Sequence, residues 1–385
     1  MKRRIFILMH HDLVSYPPMH SLMRFLTEMD YDLYYIGVCT DAQTQKTFEE
    51  KGFKFIYLDS RRPKGKLNIV RKQRKAKEGF LKILRTFNIS NKDLLWIEYS
   101  SFVHAIVKNL QGLRYVAHFY EFVNDQFGWI HKLVYPNFNM HDFLHQAKAV
   151  VHCEYNRAII TKGLYDLELM PYVLPNKPYF DESLLENIPS DIADRLDNIK
   201  DETKGKKIIL YQGVFDSKER RLEEFCQAIE LLPDEYVLMV MGAGGVYFQD
   251  LKRRYESKRV LFEDFIRPPY HLAVTKMSVL GVLTYNPLNT TMAGVINPLY
   301  CAPNKIFEFS RYGIPMISND VPGLKFIFEE NHCGETVSYP VTPEKVAEMI
   351  LLIMDNEENM RIGAQKYYES IDFPSIVRNI LKEVY

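Results

Sequence analysis

The chain has 385 residues, 47% hydrophobic and 25% charged, with 49 basic and 49 acidic side chains. Disorder, collagen and coiled coil are excluded by that composition, and the length favours two domains of about 150 to 200 residues, each able to bury a core. The net charge of zero conceals an asymmetry, because residues 1–175 carry 25 basic and 17 acidic side chains and the remainder 24 and 32, which is +8 against −8. Five scattered cysteines without a CxxC pair suggest neither a disulfide framework nor a zinc knuckle, and they fit a reducing compartment.

The N-terminus places basic residues before a short apolar run, as a signal peptide does. His10, His11 and Asp12 end that run after five residues, so it reads as a first strand over 5–9. Further short apolar runs follow at 33–36, 55–58, 94–97, 115–118, 149–152 and 172–174, alternating with helical patterns. This alternation is the signature of crossover units on a parallel sheet, an α/β class, and 1–175 reads as a Rossmann-like domain. Residues 176–206, polar and acidic with Pro178, Pro189 and Gly205, read as a hinge. A second series at 208–211, 236–241, 260–262, 279–283, 315–318 and 334–337 makes a second Rossmann-like domain over 207–372. From 344 to the end the pattern is helical, with a break at Phe373-Pro374, where proline starts a new helix over 373–385. No stretch approaches the ~20 apolar residues of a spanning helix, so a soluble or peripheral, cytoplasmic protein is expected.

Ligands of such domains lie beyond the carboxyl ends of the strands. After the strand ending at Tyr211, Gly213 lets backbone approach a ligand, and Arg220 can direct a planar fork of donors at phosphate oxygens. A turn followed by solvated charges explains the same residues. Gly242-Ala243-Gly244-Gly245 after the next strand is no dinucleotide fingerprint, because the third glycine of GxGxxG falls at Tyr247. Gly242, Gly244 and Phe265 are nonetheless candidates for the donor side. Asp30-Tyr31-Asp32 matches the DxD pattern of metal-dependent sugar transferases, but two acids on a surface turn are ordinary, and no metal is assigned.

The segment 297–308 is the most informative. Pro303 and Asn304 suit the start of a helix that Gly313 ends, so the amides near Ala302 to Lys305 offer an anion site. Lys305 adds a mobile charge. Glu308, four residues after Asn304 and three after Lys305, lies on nearly the same face, where its carboxylate can accept two bonds from a ribose diol. A cation near phosphate and a carboxylate near ribose would read a nucleoside diphosphate. The plainer alternative is a Lys305–Glu308 surface pair.

On these residues the chain resembles the retaining, family 4-like glycosyltransferases of the GT-B fold, through VLPNKP at 173–178, YQGVF at 211–215, ERRLEEF at 219–225 and PNKIFEFSRYGIPMIS at 303–318. The resemblance implies two Rossmann-like domains facing across a cleft, with the last helix crossing back to the first. It also implies a nucleotide-sugar donor, UDP-sugar above all, held by the segment 297–318 with Glu308 on the ribose and Arg220 on the diphosphate. His118 and Glu121 match the segment whose histidine or acid contacts sugar or acceptor, and a buried structural histidine explains His118 equally well. His10, His11 and Asp12 form the loop where the family binds acceptor. Two departures stand out: Tyr300 replaces the first glutamate of the usual E-x7-E pair, and Val214 replaces a common arginine. Arg220 and Lys305 are then left to stabilise the departing diphosphate, and no cofactor is required.

The implied reaction is transfer, with retention, to the hydroxyl of a lipid-linked or surface polysaccharide glycan. A nucleotide-sugar epimerase using Glu121 or Asp264, and a noncatalytic partner of another transferase, are the alternatives. Nine basic residues lie within 61–77: Arg61, Arg62, Lys64, Lys66, Arg71, Lys72, Arg74, Lys75 and Lys77. A solvated helix face is the default for such a run. Nucleic acid is disfavoured by the lack of a recognition motif, and the resemblance favours an anionic membrane surface.

Overall fold

The computed structural model describes residues 2–58, 66–180, 182–186, 188–288 and 290–385. The chain packs as two compact units, one of residues 1–175 with 372–385 and one of residues 176–371. Among the described residues, unit 1 holds seven parallel strands: β1 (Arg3–Asp12), β2 (Tyr31–Val38), β3 (Phe53–Tyr57), β4 (Leu94–Glu98), β5 (Arg114–Phe119), β6 (Ala149–His152) and β7 (Tyr172–Val173). They lie in the order β3-β2-β1-β4-β5-β6-β7. The described residues of unit 2 hold six: β8 (Lys207–Gly213), β9 (Tyr236–Gly242), β10 (Val260–Asp264), β11 (Ser278–Leu283), β12 (Met316–Asn319) and β13 (Gly334–Val337), in the order β10-β9-β8-β11-β12-β13. Each sheet reverses its direction of growth between its first and fourth strands, which is the doubly wound arrangement that leaves a crevice at the carboxyl ends. Helices cover both faces, so the central strands carry long buried apolar runs: all seven residues of β9 are buried, as are Ile5 to Met9 of β1.

Three expectations are revised by the packing. β1 does not end at Met9 but runs through His10 and His11 to Asp12, with a register irregularity between Leu8 and Asp12, because pairing to Val38 of β2 continues beyond the apolar run. β8 likewise extends through Gln212 and Gly213, which pair with Met241 and Gly242. The segment expected as a hinge contains a helix, Ser190–Glu202, whose Ile192, Leu196 and Ile199 are buried in the core of unit 2. Their i, i+4, i+7 spacing is a helical stripe, which a reading dominated by the flanking prolines and acids overlooks.

The last helix, Phe373–Val384, carries Pro374 in its first turn and Asp372 as N-cap, whose carboxylate accepts from Ser375 N–H at 3.0 Å. It packs on unit 1 through Phe373, Val377, Ile380, Leu381 and Val384, all buried. The Tyr385 hydroxyl donates to the Arg4 carbonyl at 2.8 Å.

Candidate functional site

The chain leaves β8 at Gly213, whose φ of +141° is one that L side chains rarely adopt. A Cβ there would lie 2.4 Å from Lys305 Cε and 2.6 Å from its Nζ. Glycine is therefore what allows the Lys305 amine to lie over the end of the strand. A Cβ on Gly242 would come 2.0 Å from the Gly213 carbonyl oxygen, so β8 and β9 end backbone against backbone.

The turn beyond Gly213 is held by Asp216, whose Oδ1 accepts from the amides of Lys218 and Glu219, each at 2.8 Å. The Asn286 amide donates to the Glu219 carbonyl at 2.8 Å, tying this turn to the loop after β11. Arg220 is thereby placed with its guanidinium 4.0 Å from the centroid of the Tyr285 ring and 2.8 Å from the Glu219 carboxylate. Asn319, at the end of β12, fixes Tyr285 in turn, accepting from its N–H at 2.8 Å and donating to its carbonyl at 2.6 Å.

The helix Asn304–Ser310 begins after Pro303, which caps it without a side-chain bond. The Ala302 carbonyl before it accepts from Asn176 Nδ2 at 2.8 Å. Glu308 is not a surface group but 8% exposed. Its Oε2 accepts from Gln212 Nε2 at 2.8 Å, its Oε1 lies 3.4 Å from His271 Nε2, and Gln212 accepts in turn from the Thr275 hydroxyl at 2.9 Å. Burial pushes the Glu308 carboxyl up, but His271, Lys305 and the Gln212 bond more than offset it, so its pKa falls below the ordinary range. Lys305 is lowered to about 8, first by burial and then by the charge of Arg220.

Gly213, Arg220, Lys305 and Glu308 thus converge at the carboxyl ends of β8 and β11, where the order of the sheet reverses. Two cations stand beside an ionised carboxylate, with Arg220 held by Glu219 and Tyr285 and Glu308 by Gln212 and His271. Gln212, His271, Thr275, Tyr285 and Asn319 also build the site. Only Gln212 and Asn319 leave a trace in the sequence, as polar residues closing otherwise apolar strands. Gly244 lies apart in an open turn, with nothing nearer its Cβ position than Phe248 at 3.9 Å. Phe265 is exposed just beyond β10, its carbonyl held by Arg195 at 3.3 Å.

In unit 1 the candidates separate. His118 is 1% exposed, accepting at Nδ1 from Trp96 Nε1 at 3.1 Å, and burial lowers its pKa to about 3. It is a neutral histidine of the interior. Glu121, three residues on, is exposed. The ring of His10 stacks on Phe102 at 5.0 Å. Asp12 is a structural cap, accepting from the amides of Val14 at 3.3 Å and Thr40 at 3.1 Å. His11 pairs through Nδ1 with Glu98 Oε1 at 3.0 Å, and Glu98, at the end of β4, is 4% exposed with its pKa raised by burial. The sequence reading missed Glu98, whose signal was a carboxylate closing the apolar strand LLWIE. Asp30 of the DxD-like turn pairs with Lys2 at 2.5 Å.

No protein family model matches this chain, and no curated protein sequence does. Solved structures do match. Anabaena HepE in complex with UDP-glucose is 14% identical, with 98% of each chain covered and a TM-score of 0.67. Sucrose-phosphate synthase from Thermosynechococcus elongatus is 14% identical, with 99% of this chain and 98% of that one covered and a TM-score of 0.69. A glycosyltransferase from Rickettsia africae is 12% identical, with 100% and 98% covered and a TM-score of 0.67. The likeness spans whole chains and both Rossmann-like units, and it shows that this chain has the GT-B fold.

Proposed function

We propose that the protein is a glycosyltransferase that moves a sugar from a nucleoside diphosphate sugar to an acceptor hydroxyl. The observation that carries this reading is the placement of Arg220 and Lys305 beside buried Glu308 at the switch point of unit 2. In the reaction the acceptor oxygen bonds to the anomeric carbon as the bond from that carbon to the diphosphate breaks. The bonding electron pair leaves with the diphosphate, which also takes the acceptor's proton. The charge that develops there meets two preoriented cations, whose stabilisation needs no reorganisation at the moment of transfer. Glu308, held ionised, is suited to accept from the ribose hydroxyls.

The presence of UDP-glucose in the HepE structure supports a UDP-sugar as donor. The resemblance at 303–318 supports retention, and a lipid-linked or surface glycan as acceptor, reached at the cytoplasmic face of a membrane. Arg71, Arg74 and Lys75 on the helix Lys66–Thr86 are exposed, as such docking needs, while Arg61, Arg62 and Lys64 lie outside the described residues. Among the described residues no helix is long and apolar enough to cross a membrane.

The test is turnover of a panel of radiolabelled nucleoside diphosphate sugars with and without glycan acceptors. Transfer should need acceptor, should persist in EDTA because Arg220 and Lys305 supply the charge, and should fall at least ~100-fold in Arg220→Ala. Glu308→Ala should weaken donor binding. An isomerised donor formed without acceptor would establish an epimerase, and unchanged donor binding in both variants would refute the site.

A further inference from the structure

We infer that the helix Trp129–Val134 of unit 1 is a wedge that inserts into an anionic bilayer surface. This deepens the membrane reading above and does not depend on the transfer chemistry. The helix holds itself to unit 1 through a polar residue and turns large apolar ones to solvent. Its half-buried His131 is the anchor: His131 Nε2 hydrogen-bonds His104 Nδ1 at 2.7 Å, and His104 Nε2 bonds the Tyr99 hydroxyl at 2.7 Å. Phe127 stacks on His131 at 4.0 Å and Phe138 on His104 at 3.8 Å, so the histidine pair that anchors the helix is flanked by an aromatic ring at each member. Outward, at i and i+4, stand Trp129 and Leu133, 72% and 70% exposed. Large apolar side chains paired on a face anchored by polar ones mark an interaction surface.

Charge decides what that surface meets. Lys132, between the two apolar residues, is exposed. The C-terminal end of the same helix borders a cavity of about 190 Å³ lined by Arg74, Lys77, Lys108, His104, Tyr135 and Asn137. Arg74 also pairs with Glu78 at 3.1 Å, but both side chains are well exposed, and such a pair is a weak competitor for phosphate. Tryptophan beside lysine and arginine is the combination that settles at the boundary of headgroups and acyl chains, with cations on the lipid phosphates and the indole below them.

The chain has two tryptophans, and Trp96 is fully buried, so a change of emission on adding vesicles reports Trp129. With phosphatidylcholine vesicles containing phosphatidylglycerol, we expect co-sedimentation, a blue shift, and quenching by brominated acyl chains. With phosphatidylcholine alone, all three should be weak. Trp129→Ala with Leu133→Ala should reduce binding to anionic vesicles about tenfold or more, while UDP binding, which belongs to unit 2, should stay unchanged and show that the variant is folded. Co-sedimentation without blue shift or quenching would overturn the wedge and leave a purely electrostatic contact. Equal insertion into neutral vesicles would overturn the role of the basic groups. A dimer abolished by the double variant, with no vesicle binding by the parent protein, would assign the face to a second copy of the chain and overturn both membrane readings.

Discussion

Lys305 shows how a single side chain ties the site to pH. Burial and the neighbouring Arg220 bring its pKa to about 8. It is a cation able to meet a diphosphate below that value and is neutral above it. UDP affinity should therefore hold to about pH 7 and fall by up to about tenfold by pH 9. Lys305→Met should bind UDP weakly at every pH and lose that dependence. Isothermal titration across the range decides, and a parent affinity independent of pH would show that Lys305 does not bear on the diphosphate. Arg220 was legible in the sequence as a cation just beyond a strand end, and Lys305 and Glu308 as neighbours on one face of a helix start. The partners that set their protonation were not, since Gln212 and Glu308 are 96 positions apart. His118 marks the opposite limit. A histidine at a strand end reads equally well as ligand or core, and packing against Trp96 decided for the core.

Among the elements, the loop after β11 depends on Asn319. Both of its hydrogen bonds go to the Tyr285 backbone, and Tyr285 is the platform beneath Arg220. Asn319→Ala would leave a buried N–H and carbonyl unsatisfied, a cost of about 1–3 kcal/mol. Chemical denaturation should show that loss, and UDP binding should weaken with it although Asn319 is assigned no ligand contact. Loss of stability with intact binding would show that Tyr285 does not position Arg220. Each strand among the described residues overlaps a run read from the sequence, and the central ones stood out because parallel strands covered on both faces carry long apolar stretches. Their ends were less so. His10 to Asp12 and Gln212 to Gly213 continue their strands through pairing to neighbours, which hydropathy does not record.

For the whole molecule, the histidines divide the two units. Burial lowers His104, His118 and His152 to about 3 and His20 to about 4, and all four belong to unit 1. Unfolded, each titrates near ~6.5. Between those values the unfolded chain binds protons that the folded chain refuses, so stability is fully present above about pH 6.5 and drains away as pH falls toward 3. Thermal unfolding followed by hydrogen exchange should show unit 1 opening before unit 2 at pH 5, with the gap narrowing at pH 7.5. A gap that does not change with pH would mean that these histidines are protonated in the folded protein.

The sequence by itself determined the α/β class, the two series of strands, the bipartite charge and the motif carrying Arg220, Lys305 and Glu308. All of these are properties of consecutive residues, set by hydropathy period, turn chemistry and helix-start signals. The tertiary structure alone decided which of those residues meet. It set Lys305 over Gly213 because a glycine leaves room there, buried Glu308 against Gln212 and His271, withdrew His118 into the core, and turned Trp129 and Leu133 outward around a histidine anchor. Burial and proximity depend on chain segments far apart in sequence, and protonation state, exposure and the chemistry of a site follow from them.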